Sequence, residues 1–136
     1  MTAPASGAAI GIILRAEHLA IFGTGVVLWL ANGGQPLLLI PAWLLVDISM
    51  IGYLGGPRLG SVTYNAAHTL LLPLALLGLG WWTGISWLVL AGAVFTTHVG
   101  LDRALGYGLK LPTDFRDTHL GRIGRTNMDS PARASR

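Results

Sequence analysis

Apolar residues run along the chain in four long blocks, about Ala8–Ala31, Pro36–Leu54, Ser61–Trp82 and Ile85–Tyr107. Short breaks with turn chemistry, ANGGQP, GGPRLG and WWTGIS, separate them. A helix needs about 20 apolar residues to cross the hydrocarbon core. Only a helix or a closed barrel pairs its own backbone groups there. The pattern predicts an all-α fold, a four-helix transmembrane bundle over residues 1–110. A polar tail, 111–136, follows, and its end, MDSPARASR, has the composition of a disordered segment. The first block is not read as a signal peptide. Arg15, Glu17 and His18 interrupt it, and no small-residue cleavage site follows a compact apolar core.

Composition supports the membrane reading. Charged residues make up 11% of the chain, against about 25% in a soluble globule. Only Arg15, Glu17, Asp47 and Arg58 are charged before Asp102; the other eleven charges follow. There is no cysteine, which excludes disulfide and thiolate chemistry. No basic helix face or aromatic stacking platform accompanies the net charge of +3, so nucleic acid is not an expected partner.

The charge pattern predicts orientation. All nine Lys and Arg residues fall at the two ends of the chain or in the loop between the second and third blocks. The other two loops have none. The positive-inside rule then places both termini in the cytoplasm of a bacterial inner membrane. Trp29, Trp81, Trp82 and Trp87 are expected at the opposite interface as an aromatic belt, with Trp43 inside the second span. Gly23, Gly25, Gly78 and Gly80 suit close helix packing. Lys110, just past a glycine cap in GYGLK, is expected near anionic headgroups.

Alternating helix direction brings the polar residues of the spans to one depth. Glu17 and His18 come early in the first span, Asp47 late in the second, and Tyr64, Asn65 and His68 early in the third. His98, Asp102 and Arg103 come late in the fourth. His98 and Asp102 are i and i+4, as are Tyr64 and His68, so each pair shares a helix face. Asp47, His68, His98 and Asp102 form a candidate divalent-metal set, suited to zinc, manganese or iron by ligand type. Intramembrane charges also pair with one another for structural reasons. A functional reading weighs more for the whole set than for any single member.

The stretches DISMIGYLGGPRLGSVTYNAAHT and THVGLDRALGYGLKLPTDFRDTHLGRIG resemble a family of small bacterial membrane proteins, domain of unknown function 4260. That resemblance implies a four-span membrane protein and supplies no activity. A second pattern is fainter. An aspartate late in span two, H-T in the next helix and H-x-x-x-D near the end are similar to the inner-membrane, LexA-regulated metal-dependent hydrolases. The similarity would put Asp47, His68, His98 and Asp102 at metal-site positions, with Ser49 in place of that family's second aspartate.

Three functions follow as expectations. One is a metal-dependent hydrolase of a lipid-like ester or phosphoester. There Glu17 and Asp102 serve the chemistry, and Arg58, Arg103, Tyr64 and Asn65 hold the substrate. The second is a non-catalytic accessory subunit or small carrier, in a homo-oligomer or larger membrane complex, with membrane lipids as partners. The third, less favoured, is haem bound between His68 and His98. GGPRLG, mainly a turn, could also receive a phosphate with Arg58.

Overall fold

The computed structural model describes residues 4–124. α1 spans Pro4–Ala31. α2, Pro36–Leu45, runs on into a 3₁₀ helix, Val46–Gly55. α3, Pro57–His68, is followed by α4, Leu71–Thr83, and α5, Ser86–Leu105. A small antiparallel hairpin closes the described chain, with β1, Asp117–Thr118, paired to β2, Gly121–Arg122.

Prolines and glycines set the boundaries, with one shift: GGPRLG, expected as a turn ahead of Ser61, is helical from Pro57 onward. Pro36 and Pro57 open α2 and α3 at the first helical turn, where a missing N–H costs nothing. Gly106, at φ +95°, ends α5. There the Tyr107 N–H reaches the Asp102 carbonyl at 2.8 Å and the Gly106 N–H reaches that of Arg103 at 3.1 Å, a Schellman closure.

Three segments, Gly7–Ala31, Pro36–Gly55 and Ser86–Leu105, are long and apolar enough to cross a membrane. α3 and α4 together pass the same test as a fourth, bent by 42°. The sequence predicts one continuous span here. The break at Thr69–Leu70 has a local cause, Pro73. Its ring would collide with the Thr69 carbonyl in a continuous helix, and it has no N–H to give. Thr69 is accordingly extended, at φ −88° and ψ 154°.

α5 is the central helix. In its membrane-length window 61% of residues are buried, against 6% in each of the other two unbroken spans. The outer helices instead present leucines and isoleucines outward, among them Ile12, Leu37, Ile40, Leu71 and Leu74. Such a surface suits acyl chains rather than water. α1 meets α5 backbone to backbone. A Cβ added at Gly100 would lie 2.6 Å from the Phe22 nitrogen, and one at Gly25 would lie 2.7 Å from the Thr97 nitrogen. Gly80 makes a similar approach to Val89, whereas Gly23 and Gly78 face open space.

Two expectations are corrected. Trp81, Trp82 and Trp87 are exposed, but Trp29 belongs to the core with Val46, Ala93 and Val94. Its indole N–H donates to the Gln35 carbonyl at 2.9 Å, so the turn after α1 folds back over the ring. Lys110 does not reach toward headgroups; it is 5% exposed. The Asn65 amide clamps its backbone, with the Lys110 N–H donating to Oδ1 at 2.7 Å and Nδ2 donating to the Lys110 carbonyl at 2.9 Å. Its ammonium lies 4.0 Å from the Phe115 ring centre and 5.1 Å from that of Tyr64. The hairpin thus closes over the ends of α3 and α5. The segment MDSPARASR lies outside the described residues.

A candidate metal centre at the helix ends

Three chain segments deliver the four donors. Asp47 comes from the first turn of the 3₁₀ helix and His68 from the last residue of α3. His98 and Asp102 come from adjacent turns of α5. His68 and His98 are almost wholly buried, at 2% and 1% exposure. Their Nε2 atoms lie 3.1 Å apart. Asp47 Oδ1 is 3.5 Å from the His68 Nε2 and 3.4 Å from the His98 Nε2. Asp102 Oδ2 is 3.8 and 3.6 Å from the same two atoms. One donor atom each from Asp47, His68 and His98 lies within 4.8 Å of the others, a cluster that could hold a metal ion.

The imidazole orientations are fixed from behind. His68 Nδ1 is 2.9 Å from the Tyr64 carbonyl, and His98 Nδ1 is 2.9 Å from the Trp43 carbonyl. A carbonyl only accepts, so both Nδ1 atoms carry the hydrogen. In the neutral ring Nε2 is then a bare lone pair. Two bare nitrogens and two carboxylates facing one small space repel one another unless a cation or a proton lies between them. Around an ion bound at 2.0–2.2 Å, tetrahedral donors stand roughly 3.3–3.6 Å apart. The measured separations of 3.1 to 3.8 Å bracket that value.

Local packing holds the rings. Tyr64 stacks on His68 with centroids 3.7 Å apart and planes 12° from parallel. The Trp43 ring lies 4.2 Å from His98. At Trp43 the α2 helix tightens into the 3₁₀ turn, where the Val46 N–H already bonds the Trp43 carbonyl. The second lone pair of that carbonyl takes the His98 hydrogen. The Tyr64 hydroxyl donates to Asp102 Oδ2 at 3.3 Å. Arg103 Nη2 donates at 3.2 Å to the His68 carbonyl, which the break after α3 leaves without a helical partner.

The other sequence candidates lie elsewhere. Glu17 is exposed on α1 and Arg58 is exposed in the first turn of α3. Neither makes a hydrogen bond or ion pair to the cluster among the described residues. Asn65 uses both ends of its amide on Lys110. In the hairpin, Asp117 pairs with Arg122, and His119 Nδ1 accepts the Leu109 N–H at 2.9 Å. Sequence reasoning missed Trp43 as a positioning residue; its place four residues before Asp47 is the available signal. Haem does not suit this geometry. Nitrogens 3.1 Å apart, flanked by two carboxylates, leave no passage for a macrocycle.

A family model described as Domain of unknown function (DUF4260) matches residues 11–123, which include all four cluster residues. No curated protein and no solved structure matches the chain.

Proposed function

The chain belongs to the DUF4260 family, and we propose that it is a multi-pass membrane protein built around a divalent transition-metal centre that hydrolyses an ester or phosphoester of a lipid-like substrate. The observation that carries this reading is the pair of Nε2 atoms, 3.1 Å apart, with both Nδ1 hydrogens committed to backbone carbonyls. Two neutral imidazoles with two carboxylates suit zinc, manganese or iron. In this reading both chain ends lie in the cytoplasm, the side on which every Lys and Arg then falls.

Asp47, His68 and His98 form the compact donor set. The Asp47 side chain is 31% exposed, so the centre has an approach from that side. Asp102, 16% exposed and held by the Tyr64 hydroxyl, stands beside the set as fourth ligand or as base for an attacking water. A metal bound here supplies Lewis acidity and lowers the pKa of its water. Arg103, bonded to the His68 carbonyl, borders the centre and suits an anionic substrate group.

Metal analysis of the purified full chain tests the proposal. About one equivalent of a transition metal is expected, lost in His98→Ala. Less than about a tenth of an equivalent, unchanged by that substitution after reloading, would refute it. For the activity, release of acid or phosphate from short-chain phospholipid esters should depend on metal and on Asp102.

A further inference from the structure

A second polar cavity lies beside the centre. It has a volume of about 340 Å³ and sits between α1, the end of α5 and the hairpin. Arg15, His18, Arg103 and His119 line it, with Leu14 and Leu120 at its rim. Among the described residues no carboxylate lines it, so two guanidiniums share the space with no anion inside it. A Cβ at Gly106 would lie 3.7 Å from Arg15 Nη2, which places that guanidinium over the closing turn of α5. Arg103 turns one nitrogen to the His68 carbonyl, and its Nη1 is buried with no hydrogen-bond partner among the described residues.

The imidazoles are oriented as donors or adaptable partners. His119 Nδ1 accepts the Leu109 N–H, so its ring hydrogen is on Nε2. His18 gives its Nδ1 hydrogen to the Leu14 carbonyl at 2.6 Å and keeps Nε2 free. The rim is apolar, with Leu14 48% and Leu120 55% exposed. Cations beside exposed leucines, with Arg103 half-buried and Arg15 exposed, match a particular ligand class: an anionic head on an apolar tail.

We propose that this cavity binds the phosphate group of an amphiphile, with Arg15 and Arg103 as its charged donors and His119 Nε2–H as a third. The guanidinium fork matches phosphate oxygens in pairs. Arg103 borders both the cavity and the Tyr64–His68–Asp102 side of the centre. A phosphate-bearing lipid seated here would therefore lie next to the metal. None of the metal donors lines the cavity, so the binding does not depend on a metal.

The test uses the full chain in a non-ionic detergent after chelator treatment, so that failure of the metal reading leaves it intact. Dihexanoyl phosphatidic acid is titrated by native mass spectrometry, beside dihexanoylglycerol, which lacks the phosphate, and inorganic phosphate. One saturable equivalent of phosphatidic acid is expected, with at least about tenfold preference over dihexanoylglycerol, the worth of one charged hydrogen bond. Arg15→Gln should weaken it by a similar factor, and His119→Ala by less. Arg15 is exposed on α1, so its loss leaves the core alone. Displacement by millimolar inorganic phosphate would identify the head alone as the ligand. Resistance to it would assign the site to lipid. No saturable binding, or equal binding to wild type and Arg15→Gln, overturns the proposal.

Discussion

Replacing Asp47 by Asn keeps the volume of the side chain and removes one charge from the donor set. The position is 31% exposed, so the substitution leaves neither a void nor a dehydrated amide. Without metal, the protein should therefore unfold at or slightly above the wild-type temperature, since one of the groups that repel across the donor set has lost its charge. Metal changes the comparison. A ligand that binds only the folded state adds RT ln(1 + [L]/Kd), about 2.7 kcal/mol at a free concentration of 100 Kd. Even groups behind the ligands are worth roughly 10–100-fold in affinity, so a direct ligand 3.4 and 3.5 Å from both imidazoles should cost at least about 100-fold. At the same metal concentration the variant then sits near its own Kd and gains only about 0.4 kcal/mol. Thermal unfolding in detergent, with and without zinc, reads this difference directly. Equal metal-dependent stabilisation of wild type and Asp47→Asn would refute the assignment of Asp47 as a ligand.

The packing and the tail make further predictions. Gly100→Ala should lower thermal stability by about 1–3 kcal/mol, since its methyl meets the Phe22 backbone at 2.6 Å; Gly23→Ala, facing open space, should be close to neutral. Asn65→Ala removes two hydrogen bonds to the Lys110 backbone, about 0.5–1.5 kcal/mol each, and should raise the mobility of a spin label on a single cysteine introduced at Arg116. The chain's lack of native cysteine makes that label unambiguous. Burial pulls the Lys110 ammonium below its usual 10.5, with the Asp102 carboxylate opposing. The docked tail thus holds fewer protons than the released tail between the lowered value and 10.5, and docking should strengthen as pH rises through that window. The same label should show no such trend in Lys110→Met.

The membrane-length segments were legible because lipid imposes one rule on every span, and the runs of Leu, Ile, Val and Ala state it openly. Asp47, His68, His98 and Asp102, grouped on the sequence by their places along the four blocks, do meet. What the pattern hid depends on contacts between segments. Trp29 reads as an interfacial indole by position, yet the turn through Gly34 and Gln35 gives its N–H a partner and buries it. Lys110 reads as a headgroup lysine until the hairpin folds across it, which no local periodicity announces. Pro73 does carry the break in the third span, and its place inside an apolar run is the signal. The hydrogen-bonded tautomers of the two histidines were invisible, because they depend on carbonyls at Trp43 and Tyr64 rather than on side chains. Glu17, early in the first span, is exposed on α1. Depth alone does not fix the face of a helix.

X-ray absorption at the metal edge of the zinc-loaded full chain tests the central assignment most directly. The account predicts two imidazole nitrogens and one or two carboxylate oxygens at about 2.0–2.2 Å, with the imidazole scattering reduced by half in His68→Ala. A coordination shell of solvent oxygens alone, or an imidazole signal unchanged in that variant, would contradict it.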